Sequence, residues 1–182
     1  MNKMKNEVYI KKKKFQVFIK DNEIANIVQE IANKLNKIKI KNPLFIAILN
    51  GSFLFAADII RKITIPDCEI SFIKLASYSG IKSTGEVNKL IGINKDIKGR
   101  NIIILEDIID TGITLEKIID LLEKEDVNSI KTATLLFKPD TYKKNINIDF
   151  IGKSIPNNFV VGYGLDYDEI GRNLPHIYKL KT

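Results

Sequence analysis

Apolar residues along this chain fall into alternating kinds of segment. Ile24, Ile27, Val28, Ile31, Leu35 and Ile38 recur at three- and four-residue steps, one apolar stripe of a helix, with Asp21 and Asn22 as candidate N-caps. Leu44–Leu49 is a short unbroken apolar run closed by Asn50-Gly51-Ser52, the pattern of a buried strand. Phe53–Ile60 has helical content and ends before Pro66, Glu69–Leu75 reads as a strand, and Ser77–Glu86 has the Gly and Ser content of a loop. Asn101–Leu105 is a second buried run, followed by acids and a helix from about Ile113 to Glu125. Ile130–Phe137 and Asn158–Val161 read as further strands, and Ile177–Leu180 as another. Short apolar runs alternating with amphipathic helices predict βαβ units, hence an α/β fold with a mainly parallel, twisted sheet flanked by helices. No repeat, linker or composition shift marks a second domain, so the 182 residues read as one. In such sheets ligands bind outside the carboxyl ends of the strands, which directs attention to the residues just after each apolar run.

Composition narrows the chemistry. One cysteine, Cys68, excludes a disulfide framework and a cysteine-rich zinc site. One histidine, His176, leaves no His pair for a metal and makes a His-dependent triad hard to assemble; it reads as structural or surface. The net charge is +7, but residues 1–20 hold seven Lys against Glu7 and so account for +6 of it. With no aromatic interleaving to stack bases, the run Lys11–Lys14 reads as a solvated terminal segment rather than a nucleic-acid tether. Met1–Lys14 is too polar for a secretory signal, and Asn50, Gly51, Ser52 and Asp58 interrupt the most apolar stretch, Leu44–Ile60, so no membrane span is expected. These features point to the cytoplasm.

The chemistry concentrates in residues 102–114, Ile-Ile-Ile-Leu-Glu-Asp-Ile-Ile-Asp-Thr-Gly-Ile-Thr. A buried strand delivers Glu106 and Asp107 at its exit, and Asp110-Thr111-Gly112-Ile113-Thr114 forms a turn that opens a helix. Such a turn offers a phosphate monoester a Gly for close backbone approach, two hydroxyls and the free N–H groups of a helix start. The acid pair suits ribose hydroxyls or a Mg²⁺ ion. An N-cap role for Asp110 or Thr111 is the plain structural alternative, yet it leaves two more acids unexplained at the end of a triple-Ile strand, where charge is costly without a partner.

That thirteen-residue run resembles the signature of the phosphoribosyltransferases, which bind 5-phosphoribosyl-1-pyrophosphate, and the wider pattern from about residue 40 resembles their hypoxanthine (hypoxanthine-guanine) branch. The resemblance implies a type I phosphoribosyltransferase fold, with a core over about 40–155 and a small hood from about 1–20 and 156–182. It implies that Asp110, Thr111, Gly112, Ile113 and Thr114 hold the donor's phosphate. Asn50 and Gly51 match the loop whose backbone amides meet pyrophosphate; many relatives have Lys where Asn50 stands, and the peptide before it is often cis. Ser77 and Tyr78, with Ser83-Thr84-Gly85, are similar to a mobile loop that closes over the reaction centre and excludes water. Lys138, a cation at a strand exit, is implied to donate to O6 of a 6-oxopurine, Phe159 to stack on the base, and the Val160 backbone to read its edge. Glu106, Asp107 and Asp166 are implied metal ligands, Arg172 a pyrophosphate contact, and Asp110 the general base that takes the N7 proton as N9 attacks. Tyr163, Tyr167 and Tyr178 read as packing residues.

The expected function is purine salvage: transfer of phosphoribosyl to hypoxanthine or guanine with Mg²⁺, by a homodimer or homotetramer, without nucleic-acid or membrane partners. One alternative is a regulator on the same fold that binds RNA or DNA; another is a transferase for xanthine or adenine. Lys138 favours an oxygen at position 6 over an amino group. A generic nucleotide-binding domain is less favoured, since neither G-x-x-x-x-G-K-[ST] nor G-x-G-x-x-G occurs.

Overall fold

A computed structural model describes residues 6–75, 89–93 and 96–181. Ser77, Tyr78 and Ser83-Thr84-Gly85 lie outside the described residues. In chain order the elements are β1 (Glu7–Ile10), β2 (Lys13–Ile19), α1 (Asp21–Asn36), β3 (Leu44–Ile48), α2 (Phe53–Ile60), β4 (Glu69–Leu75), β5 (Lys89–Ile91), β6 (Asn101–Ile109), α3 (Ile113–Glu123), β7 (Ser129–Phe137), β8 (Phe150–Ser154), β9 (Val160–Val161) and β10 (Ile177–Leu180).

The main sheet has the order β5-β4-β3-β6-β7-β8, with β4 through β8 parallel apart from the antiparallel edge strand β5. Its central strands are apolar on both faces because helices cover both. On one face Ile103, Leu105 and Ala47 pack with Ile24, Ile31 and Leu35 of α1 and with Phe55 and Ile59 of α2. On the other, Ile102, Ile104 and Ile46 pack with Leu115, Ile118 and Leu122 of α3. The α1 stripe is buried as its spacing predicts, Ile38 lying just past the helix end. Asp21 and Asn22 lie inside its first turn rather than at the N-cap, and their Oδ1 atoms accept from the Asn22 and Glu23 N–H groups at 2.8 and 2.9 Å. The N-cap is Lys20, which makes no side-chain capping bond; the Asp21 N–H instead donates to His176 Nδ1 at 3.0 Å. His176 is therefore structural, an imidazole nitrogen standing in for a cap.

A second, four-stranded sheet, β1-β2-β10-β9, is built from both ends of the chain. The lysines at 11–13 are exposed, as a solvated segment would have them, but the segment is also part of this sheet. Lys13–Ile19 is a strand whose Phe15 and Ile19 are fully buried, Lys14 pairs with Glu7 at 2.7 Å and Lys11 with Asp168 at 2.6 Å. The charges at 11–14 obscured an apolar pattern that begins only at Phe15. This sheet has its own core of Ile10, Phe15, Val161 and Tyr178, while Ile19, Val160, Tyr163, Leu165 and Ile177 belong to the cluster beneath the main sheet. Strand β8 was not expected: Phe150 and Ile151 alone are too brief an apolar signal, and only the edge of β7 recruits them. Among the described residues no helix is long and apolar enough to cross a membrane.

Candidate active site at the carboxyl ends of the strands

Strand β6 does not stop at Leu105 but runs on to Ile109, in register with β7 as far as Ile109–Phe137. Glu106 and Asp107 are therefore inside the strand rather than beyond its exit, and each is only 8% exposed. Glu106 Oε2 has no hydrogen-bond partner among the described residues. Burial, with the neighbouring Asp107 charge, holds the Glu106 carboxyl well above the usual carboxylate range. Burial likewise pushes Asp107 up to about 6, offset in part by bonds from the backbone N–H groups of residues 107 and 108 and by the Arg172 charge. A buried carboxylate pair with an unmet oxygen wants positive charge or hydroxyl donors. Among the described residues no three His, Cys, Asp or Glu side chains converge as a metal cage. Two carboxylates completed by ligand phosphate oxygens are nevertheless a common donor set for a hard divalent cation, and this pair fits one.

Asp107 also defines the wall opposite Gly51. A Cβ on Gly51 would lie 1.7 Å from Asp107 Oδ2, and one on Gly164 (φ +98°) would lie 2.1 Å from the Gly51 carbonyl oxygen. Three backbone and side-chain groups from separate segments thus meet where only glycines fit. The Leu49–Asn50 peptide that leads into this loop is cis. A brace holds the glycine contact: Tyr163 donates its hydroxyl proton to Asp58 Oδ2 of α2 at 2.7 Å, fastening the turn at 162–165 to the helix after Gly51. Tyr163 was expected only to pack; its partner, eight residues past Asn50, gave no signal in sequence.

The turn after β6 differs from a side-chain cap. The N-cap of α3 is Gly112, with φ +82° and no side-chain capping bond, so neither Asp110 nor Thr111 caps the helix. Its first N–H groups are left for a ligand. A cavity of about 90 Å³ beside the turn is lined by Glu106, Asp110, Thr111, Gly112, Ile113 and Thr114 among others. The segment after β7 backs the turn: a Cβ on Gly112 would lie 2.5 Å from the Tyr142 ring, and the Lys143 N–H donates to the Thr111 carbonyl.

Asp110 and Lys138, expected to act on different atoms of a purine, are bonded to each other. Lys138, 6% exposed just past β7, donates from Nζ to Asp110 Oδ2 at 2.7 Å and to Asn157 Oδ1 at 3.3 Å. The Thr141 hydroxyl donates to Asp110 Oδ1. Partial burial pushes the Asp110 carboxyl up, but the Lys138 and Thr141 bonds and the Lys138 charge outweigh it, and the net shift is downward. Thr141 and Asn157 were not singled out in sequence, where nothing distinguishes them from other surface polar residues.

The remaining candidates gather around the second sheet. Phe159 is 47% exposed, its ring 6.3 Å from that of Phe15 and 5.7 Å edge-on to that of Tyr167, so one face is packed and the other open. Val160 is buried in β9, paired with Lys179 of β10. Arg172 donates to the Gly164 carbonyl at 2.8 Å and pairs with Asp166 at 2.8 Å and Glu169 at 3.0 Å. The structure therefore brings together Asn50–Gly51, Asp107, Asp166 and Arg172 on one side, and Glu106, Asp110–Thr114 and Lys138 on the other.

Comparison with known proteins identifies the family of this fold. A family model described as the phosphoribosyl transferase domain matches residues 19–168. The chain is 42% identical, over 91% of its length and 93% of theirs, to the hypoxanthine-guanine phosphoribosyltransferases of Staphylococcus aureus strain Mu50 and Staphylococcus epidermidis. A crystal structure of a hypoxanthine-guanine phosphoribosyltransferase from Bacillus anthracis superimposes with a TM-score of 0.83 at 38% identity, covering 92% of this chain and 97% of the other. A Staphylococcus aureus hypoxanthine phosphoribosyltransferase gives 0.82 at 40% identity, covering 91% of each.

Proposed function

This chain belongs to the phosphoribosyltransferase family, and from that premise we propose that it is a purine salvage enzyme. It transfers the 5-phosphoribosyl group from phosphoribosyl pyrophosphate to N9 of hypoxanthine or guanine, giving the nucleoside monophosphate and pyrophosphate. The observation that carries the reading is the pairing of Asp110 with Lys138 directly beside the phosphate-sized turn at 111–114.

The donor's 5-phosphate lies on the N–H groups and hydroxyls of Thr111, Gly112, Ile113 and Thr114, where helix start and backbone favour an anion. Asn50 and Gly51 present backbone amides to pyrophosphate, and Arg172 leaves its intramolecular carboxylates for a more highly charged partner. Glu106 and Asp107 take the ribose hydroxyls as hydrogen-bond partners, and the Asp107 charge favours a cationic sugar carbon. Members of this family generally need a divalent metal; we assign Mg²⁺ to the Glu106–Asp107 pair, where it would supply positive charge to the leaving group. Asp166, expected as a third ligand, is paired with Arg172 and does not complete a three-carboxylate set among the described residues. The base stacks on the open face of Phe159, its edge read by the Val160 backbone. Lys138 swings from Asp110 to O6, and Asp110, released from that cation, gains basicity and takes the N7 proton. Ser77 and Tyr78, outside the described residues, are assigned to the ribosyl donor. The four-stranded sheet, from about 1–20 and 156–182, acts as a hood over a core at about 40–155. A cytoplasmic homodimer or homotetramer completes the assignment.

The test is a spectrophotometric assay with Mg²⁺, phosphoribosyl pyrophosphate and each purine in turn. Turnover with hypoxanthine or guanine is expected. No turnover with any base, together with salt-sensitive sequence-specific RNA or DNA binding, would replace this reading by a regulator. Asp110→Asn is expected to lower kcat by roughly 10²–10⁴ with substrate binding largely kept.

A further inference from the structure

Two donors hold the Asp110 carboxylate, one on each oxygen: Lys138 Nζ on Oδ2 at 2.7 Å, and the Thr141 hydroxyl on Oδ1. They are not equivalent. Lys138 is a cation with a second partner, Asn157, and the proposed reaction draws it away to the purine. Thr141 is fastened to the turn that follows β7, its N–H 3.3 Å from the Lys138 carbonyl oxygen. Its hydroxyl is also 3.3 Å from that oxygen, but a hydroxyl has one proton to give, and the closer acceptor is the carboxylate.

We propose that Thr141 is a positioning residue, holding Asp110 by Oδ1 so that Oδ2 stays aimed at the purine once Lys138 departs. Asp110 needs such a hold. Its side chain is 41% exposed, and a carboxylate tethered by one mobile ammonium alone is free to turn about χ2 when that ammonium leaves. A neutral hydroxyl suits the task, since it orients the carboxylate without adding a second positive charge. The charged groups that face Asp110 are Lys138 from the end of β7 and Glu106, which lines the same cavity from β6. The inference rests on the reading of Asp110 as the general base.

The experiment measures steady-state rates across pH for Thr141→Val, Thr141→Ala and Thr141→Ser, beside Asp110→Asn. Loss of the hydroxyl is expected to lower kcat about ten-fold while both KM values stay within about two-fold, because aim is lost and binding is not. The acid limb of kcat is expected to move up by about one pH unit, since the ionised carboxylate loses one donor. Thr141→Ser is expected to recover most of both effects. Wild-type kcat and an unmoved acid limb in the Val and Ala variants, with Asp110→Asn still impaired, would overturn the role of Thr141 alone. Near-normal turnover in Asp110→Asn would instead overturn the parent reading of Asp110.

Discussion

Asp107 lies in a strand that is otherwise largely isoleucine and leucine, and its carboxyl is pushed up to about 6 by burial. Unfolded, the same group titrates near the ordinary carboxylate range. Between the two values the folded chain holds a proton that the unfolded chain gives up, so this group's contribution to stability falls as pH rises through that window. Asp107→Asn is expected to stabilise the ligand-free protein at pH 7.5 by about 1–3 kcal/mol and to change it little near pH 4. Urea unfolding at the two pH values checks this, and equal effects at both would refute the burial argument. The same variant should lose transferase activity, since the charge that burial disfavours is the one we assign to the ribosyl donor. Gly164→Ala is a second residue-scale case: a Cβ there meets the Gly51 carbonyl at 2.1 Å in a left-handed backbone. It is expected to weaken phosphoribosyl pyrophosphate binding at least ten-fold, read by calorimetry, with purine-nucleotide stacking on Phe159 less affected.

At the scale of elements, β6 carries the most. Ile104 is fully buried under α3, and Ile104→Ala is expected to cost about 2–5 kcal/mol in a denaturant melt. Elements with long apolar patterns were legible in sequence: α1, α2, β3, β4, α3 and β7 fall where periodicity puts them, because each buries a face wide enough to mark its own residues. Elements that exist only through their neighbours were not. The end of β6 at 106–109 is strand because β7 pairs with it, whatever the acids prefer, and β8 and the hairpin of β1 and β2 likewise depend on partners far along the chain. The acids, the glycine turn and Lys138 were legible as candidates because each follows an apolar run. Their contacts were not. That Asp110 and Lys138, 28 residues apart, would share a proton's reach follows from β6 and β7 lying side by side in register.

For the whole molecule, the two sheets are joined through Ile19, Val160, Tyr163, Leu165 and Ile177, and aromatic packing stiffens the second sheet. Phe15, fully buried in the N-terminal hairpin, supports Phe159 and Tyr167 from behind, with ring centroids 6.3 Å away in both cases. Phe15→Ala is expected to destabilise by about 3–5 kcal/mol. It should also weaken nucleoside monophosphate binding more than binding of the ribosyl donor, a contrast that paired calorimetric titrations would read. Equal losses for both ligands would mean that the second sheet does not serve the base.

The strand order β1-β2-β10-β9 also fixes a sequence of events during translation. Val160–Val161 leaves the ribosome before residues 177–180, yet among the described residues its one neighbour in that sheet is the strand they form. A nascent chain can therefore complete the turn at 111–114 while the strand beside Phe159 still lacks its partner, and the second sheet closes only after residue 180 has cleared the exit tunnel.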